Sequence, residues 1–197
     1  MKKIYRKSIL LLLLAGSISV LNGCAAVVVG GVAAGATSGA AVAADPRSAD
    51  GVVSDQKLRG KVEDVINAAI PENNVEVTSY DHNILLTGQV NTEDDKTKAE
   101  TVAKDAAGVK KIYNYITVGH KQSASQTSKD SYLTSAVKSN LLVSKGVNSN
   151  DVKVVTTNGV VYLMGMIDPY QAKKMTKAAS EVDGVKKVVS LFEYVSE

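Results

Sequence analysis

Side chains that could carry acid–base, nucleophilic or metal chemistry are sparse in this chain of 197 residues, which has two histidines and one cysteine. His82 falls in a predicted turn and His120 in a Ser- and Gln-rich stretch, and neither has a second histidine or cysteine nearby in sequence. The acidic run Glu93-Asp94-Asp95 lacks the ligand spacing of a calcium loop, and acidic residues are common at the start of a helix. We therefore predict a protein that is not an enzyme, with no catalytic residue, metal site or cofactor. The enzymatic alternative would need carboxylates from separate segments to converge in one pocket, for example those of Glu63, Asp64 and Asp105.

The lone cysteine lies where a secreted protein would be cleaved and anchored. Residues 1–23 carry four basic and no acidic side chains, and their apolar run at 9–14 is shorter than the roughly 20 residues that span a bilayer. This arrangement is typical of a secretory signal peptide. The ending Leu21-Asn22-Gly23-Cys24 resembles the lipobox of bacterial lipoproteins, which implies removal of residues 1–23 and acylation of Cys24. Ala25 after the cysteine favours the outer membrane, whereas in the alternative interpretation Cys24 is merely a small residue near a cleavage site.

Residues 25–44 consist mainly of Ala, Gly and Val and carry no charge. One interpretation of this segment is a second membrane span. The other is a flexible tether next to the membrane, which the small gain of Ala and Gly on entering lipid favours. Asp45-Pro46-Arg47-Ser48 then breaks any helix, so we predict that the acylated cysteine and its tether occupy residues 24–54.

The rest of the chain is an internal repeat, with one copy at 55–118, a second at 129–197 and a linker at 119–128. Four landmarks recur in the same order: an Asp-x-x-Leu-x-x-x-Val segment, a Val-x-Val strand, an apolar run that ends in Gly, and a Gly-Val-Lys-Lys turn. They begin at Asp55, Val75, Ile84 and Gly108 in copy one and at Asp130, Val152, Val161 and Gly184 in copy two. Because chance does not readily produce this order, the two copies are predicted to share one fold.

Each copy has the residue pattern of helix, strand, strand, helix and strand. Apolar residues recur at helical spacing after cap regions at Asp55 and Asp130, and two β-branched runs joined by turn residues follow. Gly108 and Gly184 end the second helix, after which a right-handed crossover places the third strand parallel to the strand before the helix. We predict an α+β fold of two tandem modules, each a three-stranded mixed sheet with two helices on one face (αββαβ). Since so small a module buries little surface, its other sheet face is predicted to stay exposed or to dock something.

These landmarks resemble the BON domain, and two copies behind a signal peptide and a lipobox resemble the outer-membrane lipoproteins that carry two BON domains. The resemblance covers nearly all of the chain after Cys24. It implies a lipid-anchored protein on the periplasmic side of the outer membrane that binds phospholipid and supports the integrity of that membrane. It also implies a role near cell division sites and an influence on the β-barrel assembly machinery. The alternative is a scaffold that binds proteins of the envelope, such as that machinery.

Charge separates the two copies. The formal charge of the whole chain is +3, but the signal peptide supplies four basic residues, so the net charge from Cys24 onward is −1. A nucleic-acid-binding protein usually has a more positive charge than this. Residues 55–118 carry 8 basic and 11 acidic side chains, a net charge of −3, whereas residues 129–197 carry 9 and 7, a net charge of +2. Copy two is therefore the copy that suits an anionic membrane, and no nucleic acid is expected as a partner.

The first helix of copy two carries an apolar outcrop that copy one lacks. At about 100° per residue, Tyr132, Leu142 and Val143 lie well away from the predicted core stripe. Copy one has Lys57 and Asn67 at the positions of Tyr132 and Leu142. Aromatic and aliphatic side chains with lysines at their rim suit a headgroup layer, so we predict that anionic phospholipid binds at Tyr132, Leu142, Val143, Lys138 and Lys145. In the alternative interpretation the first domain or the linker covers the same residues.

Overall fold

The computed structural model describes residues 47–195, which form four helices and two sheets. Module 1 runs from α1 to β4, and module 2 runs from α3 to β7. Module 1 contains α1 (Ala49–Ala69), β1 (Asn74–Tyr80), β2 (Asn83–Val90), α2 (Glu93–Lys104), β3 (Lys111–Asn114) and β4 (Thr117–Val118). Module 2 contains α3 (Ala124–Val143), a 3-10 turn (Ser149–Asp151), β5 (Val152–Thr157), β6 (Val160–Ile167), α4 (Pro169–Ser180) and β7 (Lys187–Tyr194).

The strand order confirms the predicted α+β fold of two mixed sheets. In module 1, β2 pairs antiparallel with β1 and parallel with β3 and β4; in module 2, β6 pairs antiparallel with β5 and parallel with β7. One difference is that the third strand of module 1 is divided into β3 and β4. There the Asn114 side chain accepts a hydrogen bond from the Ile116 amide, 3.1 Å away, and such a local bond competes with the strand ladder.

Both first helices begin about two turns before the predicted cap regions, so the predicted starts of these two helices are wrong. The Ser48 hydroxyl accepts a hydrogen bond from the Gly51 amide at 3.1 Å, and the Ser123 hydroxyl accepts one from the Gln126 amide at 3.2 Å. These serines cap otherwise unpaired amides and allow the helix to start in a polar segment. As a result, the end of the predicted tether (24–54) and the end of the predicted linker (119–128) are helical.

Asp55 and Asp130 cap the β-hairpin turns instead of the helices. The buried Asp55 carboxylate accepts hydrogen bonds from the backbone amides of Asp81 (2.7 Å) and His82 (2.8 Å), which both have positive φ. Asp130 does the same for the amides of Asn158 (2.7 Å) and Gly159 (2.9 Å). The repeated aspartate therefore joins the first helix of each module to the turn of its hairpin.

Each helix pair covers one face of its own sheet. The core of module 1 joins α1, α2 and the inner face of sheet 1, and its fully buried side chains include Val62, Ile66, Ile84, Leu86 and Ile116. The core of module 2 joins α3, α4 and sheet 2 in the same way, with its largest buried side chains at Val137, Leu141, Leu163, Ile167 and Met175. No helix within residues 47–195 is both long enough and apolar enough to cross a membrane.

The outer faces of the two sheets pack against each other, which answers the prediction that each module exposes this face or docks something there. A shared apolar cluster joins Tyr80 and Leu85 of module 1 to Tyr162, Met164 and Leu191 of module 2. The rings of Tyr115 and Tyr162 lie 4.9 Å apart at 56°. Three polar contacts border this cluster: Tyr80 Oη to the Asp151 carbonyl (3.2 Å), Lys153 Nζ to the Ser79 carbonyl (3.1 Å) and Asn83 Nδ2 to Glu193 Oε1 (3.0 Å). The layer order is thus helices, sheet, sheet, helices.

Candidate lipid-binding surface

The outer face of α3 presents three large apolar side chains to solvent. Tyr132, Leu142 and Val143 are 70%, 72% and 76% exposed, whereas Leu133 and Leu141 on the opposite side are buried. With about 1.5 Å of rise per residue, Tyr132 and Leu142 are separated by about 15 Å along the helix. Neither module 1 nor the linker covers these residues, so the alternative interpretation of the outcrop is wrong, while lipid binding itself stays a prediction.

The corresponding face of α1 is polar or small. Asp55 aligns with Asp130, so Tyr132, Leu142 and Val143 correspond to Lys57, Asn67 and Ala68, which are all exposed in module 1. The fold is the same in both modules, so burial in the core does not explain the apolar residues of module 2. An exposed apolar strip that the scaffold does not need is typical of an interaction surface.

Two lysines lie near the strip along the chain. Lys138 and Lys145 are both exposed, and within residues 47–195 neither one takes part in a salt bridge. Their positive charges are therefore not neutralised by a carboxylate in the described part of the chain. Charges of this kind attract an anionic bilayer over about one Debye length, roughly 8–10 Å.

The strip lies on a rigid support at its carboxyl end. Asn140 Nδ2 donates a hydrogen bond to the Ala178 carbonyl of α4 at 2.8 Å, and the Ser144 hydroxyl donates one to the Asn140 carbonyl at 2.7 Å. Gly146 has a φ of +71°, which a residue without Cβ adopts at no steric cost, and it turns the chain toward the 3-10 turn. Leu142 and Val143 are thus held in place by packing of α3 on α4.

The other residues considered for chemistry have structural positions. His82 lies in the hairpin turn, where its Nε2 is 3.0 Å from the Ser54 hydroxyl, and His120 is exposed after β4. The acidic run 93–95 forms the first turn of α2, as predicted, and the Thr92 hydroxyl accepts a hydrogen bond from the Asp95 amide. In residues 47–195, histidine and acidic side chains are nowhere grouped in a way that could hold a metal ion. Cys24 lies outside the described residues.

Sequence reasoning missed four further exposed apolar residues of module 2. Comparing the second helices of the two copies could have found one of them, since the first turn of α4 has Tyr170 where the first turn of α2 has Asp94. The other three lie at the ends of strands, where an apolar residue carries no periodic signal of its own. The four residues are Met166, Tyr170, Tyr194 and Val195.

The comparisons with known proteins decide the family. The model of the BON domain matches residues 54–120 and again residues 129–196. The chain belongs to the BON domain family. It is also 42% identical over 188 residues to the outer membrane lipoprotein DolP of Haemophilus influenzae, which covers 94% of this chain and 95% of that protein. The present BON protein is therefore a dual-BON, DolP-like outer-membrane lipoprotein of the cell envelope.

A second relative and a solved structure add to this comparison. The BON protein is 39% identical over 154 residues to a 21 kDa hemolysin of Actinobacillus pleuropneumoniae, covering 77% of this chain and 79% of that one. A structure of CdsD, a structural protein of the type III secretion system of Chlamydia trachomatis, aligns with a TM-score of 0.30 at 14% identity. That alignment covers 71% of this chain and 92% of that chain.

Proposed function

We propose that acyl chains on Cys24 hold this protein on the periplasmic side of the outer membrane, and that module 2 binds anionic phospholipid through the outer face of α3. This contact between module 2 and phospholipid supports the integrity of the outer membrane. The observation that carries the proposal is the exposed apolar strip of Tyr132, Leu142 and Val143, which the twin helix of module 1 lacks. The net positive charge of residues 129–197 also favours binding to anionic lipid.

The strip alone provides a modest affinity. Insertion of Leu142 and Val143 contributes about 1–2 kcal/mol each, because full burial of such side chains is worth about 1.5–3 kcal/mol. Lys138 and Lys145 add about 1 kcal/mol each beside anionic lipid. A total of about 4–6 kcal/mol corresponds to a dissociation constant of roughly 0.04–1 mM before the cost of ordering is subtracted. Such a surface suits an anchored protein, for which the tether supplies an effective lipid concentration in the millimolar range.

Vesicle flotation tests this proposal. The mature chain, made without residues 1–23 and with Cys24→Ser so that it carries no acyl group, is mixed with phosphatidylglycerol vesicles. Leu142→Glu removes an inserted side chain and adds a negative charge, so we expect at least a tenfold loss of bound protein. Asn67→Glu is the matched control, because it makes the same change of charge at the equivalent position of α1. Equal binding by both folded variants would refute the proposed surface.

A second candidate function is a scaffold for envelope proteins, and a groove in module 1 favours it. Between α1 and α2 lies an open, mainly apolar groove of about 450 Å³ that is lined by Val65, Ala68, Ala69, Val102, Asp105 and Ala106. The resemblance to dual-BON lipoproteins points to the β-barrel assembly machinery as its partner. In this case Val65→Asp abolishes co-purification of barrel-assembly proteins, whereas Leu142→Glu leaves it unchanged; the reverse result contradicts the scaffold.

A further inference from the structure

The exposed apolar surface of module 2 continues beyond α3. The strands β6 and β7 are parallel and end side by side, with Ile167 paired to Tyr194, and α4 begins directly after β6. The antiparallel strand β5 begins at the same end, next to the loop that follows α3. We name the exposed large apolar side chains at this end the apolar rim; they are Leu142, Val143, Met166, Tyr170, Tyr194 and Val195.

Tyr170 is fixed against the end of α3. The residue is 66% exposed, and the ammonium group of Lys174 lies 4.2 Å from the centroid of the Tyr170 ring. The same ammonium donates a hydrogen bond to the Lys145 carbonyl at 3.3 Å. On the other side, the Asn148 amide donates one to Gln171 Oε1 at 3.3 Å. A single lysine side chain therefore separates the Tyr170 ring from the backbone of Lys145, two residues beyond the end of the apolar strip of α3.

Module 1 shows that folding does not require this ring. Its Lys98 ammonium donates a hydrogen bond to the Ala69 carbonyl at 2.8 Å. In both modules, therefore, a lysine of the second helix donates a hydrogen bond to a backbone carbonyl near the end of the first helix. The residue that corresponds to Tyr170 is the exposed Asp94. The lysine hydrogen bond is common to both modules, whereas the aromatic ring occurs in module 2 and not in module 1. The apolar strip on α3 is likewise found in module 2 and not in module 1.

Arg47, the first residue that the structure describes, lies at this same end. The Arg47 guanidinium lies 4.2 Å from the centroid of the Tyr80 ring, and Tyr80 Oη donates a hydrogen bond to the Asp151 carbonyl at 3.2 Å. Asn148 Nδ2 in turn donates one to Asp151 Oδ1 at 2.8 Å. Direct contacts thus link Arg47 to the loop beside Tyr170, so a lipid anchor that precedes Arg47 in sequence can reach the same bilayer as the apolar rim.

We propose that module 2 enters an anionic bilayer with this end, and that Tyr170 is an aromatic anchor in the headgroup layer beside Leu142. The proposal rests on the proposed function, since it extends the phospholipid surface of α3 onto α4. Lys145, Lys173 and Lys174 supply positive charge at this end. Acidic residues at this end are Asp151, Asp168 and Glu193, and each carboxylate accepts hydrogen bonds. Asp168 accepts them from the Tyr170 and Gln171 amides at the start of α4, Asp151 from Asn148 Nδ2 and Glu193 from Asn83 Nδ2.

Single tryptophans test this geometry, because the chain contains no tryptophan. Leu142→Trp reports the proposed surface, Tyr170→Trp reports the extension, and Asp94→Trp is the matched control at the equivalent position of α2. Each mature Cys24→Ser chain is titrated with phosphatidylglycerol vesicles that contain acyl-chain-brominated lipid. We expect a blue shift and bromine quenching for the probes at 142 and 170, and none for the probe at 94.

The possible outcomes separate the two proposals. Quenching at 142 without quenching at 170 overturns the extension and leaves the proposed function standing. No quenching at either position overturns both, and equal quenching at 94 shows that lipid contact is not a property of module 2. A second measurement avoids the added affinity of tryptophan: Tyr170→Asp should float at least threefold less protein than the charge-matched Asn67→Glu. Equal flotation of the two folded variants contradicts a role for Tyr170.

Discussion

Removing the carboxylate of Asp55 should destabilise the folded unit by about 4 kcal/mol. The residue is 3% exposed, and its carboxylate accepts hydrogen bonds from the amides of Asp81 and His82 and from the Ser79 hydroxyl, at 2.7–2.8 Å. It also forms an ion pair with Arg47. In Asp55→Ala these donors lose their acceptor without gaining a replacement, and the hairpin turn loses its connection to α1.

The magnitude follows from the number of groups left unsatisfied. Each buried donor that loses its partner costs about 1–3 kcal/mol, and hydrogen bonds to a charged acceptor lie at the upper end of their range. The two amides are held in the turn and cannot rotate to water. A cost of about 2 kcal/mol for each amide gives the expected loss of about 4 kcal/mol in unfolding free energy. Loss of the Ser79 bond is offset because the costly burial of a carboxylate disappears as well.

Urea unfolding followed by circular dichroism measures this loss. Asp130→Ala, which removes the same pair of turn contacts in module 2, should cost a similar amount. Asp64→Ala changes an exposed aspartate in the middle of α1 and should stay within about 0.5 kcal/mol of the parent protein. A loss of less than 1 kcal/mol in Asp55→Ala, at an unchanged slope with urea, would refute the role assigned to the buried aspartate.

Two further predictions concern pH and one glycine. Burial would raise the pKa of Asp55, but the hydrogen bonds from His82, Ser79 and Asp81 and the charge of Arg47 outweigh it and hold the pKa below its ordinary 3.8. The stabilisation is therefore complete above 3.8 and is lost as the pH falls through the lower folded-state pKa, so the difference in unfolding free energy from Asp55→Ala should shrink in acid. Gly88→Ala should cost more than 2 kcal/mol in urea unfolding, because φ is +96° and the added Cβ would lie 2.0 Å from the Asn74 carbonyl oxygen; the control Gly60→Ala, with open space at its Cβ, should be neutral or stabilising.

The sequence predicts the fold of each module because the signals are local or repeated. Helical spacing, turn residues and the two closing glycines determine αββαβ without knowledge of long-range contacts. The helix starts were missed for a physical reason. Ser48 and Ser123 each lie in a segment with few apolar residues, so the first two turns of the helix show no periodic core face, and a capping serine looks like any other polar residue.

The packing of one sheet on the other had a signal that could have been used. The runs Ile84-Leu85-Leu86 and Val161-Tyr162-Leu163-Met164 are apolar at every position, whereas a strand with one wet face alternates. Such runs indicate burial on both faces. Tyr170 and Tyr194 are a different case, because they lie on separate elements and come to the same end through the topology of sheet 2.

The layer order explains why the two modules differ on their helical faces. Each sheet buries the other, so α1 and α2 form one outer layer while α3 and α4 form the opposite one. A planar bilayer can meet one of these layers at a time. Under the proposed function α3 of module 2 meets the bilayer, and the groove beside Val65 lies in the opposite helical layer, on the acidic module 1. The groove is then available to a protein partner while module 2 is bound to lipid, so the two candidate functions do not exclude each other. Two variants separate the functions: Leu142→Glu should reduce vesicle binding at least tenfold and leave the groove intact, whereas Val65→Asp should disrupt the groove and leave vesicle binding unchanged.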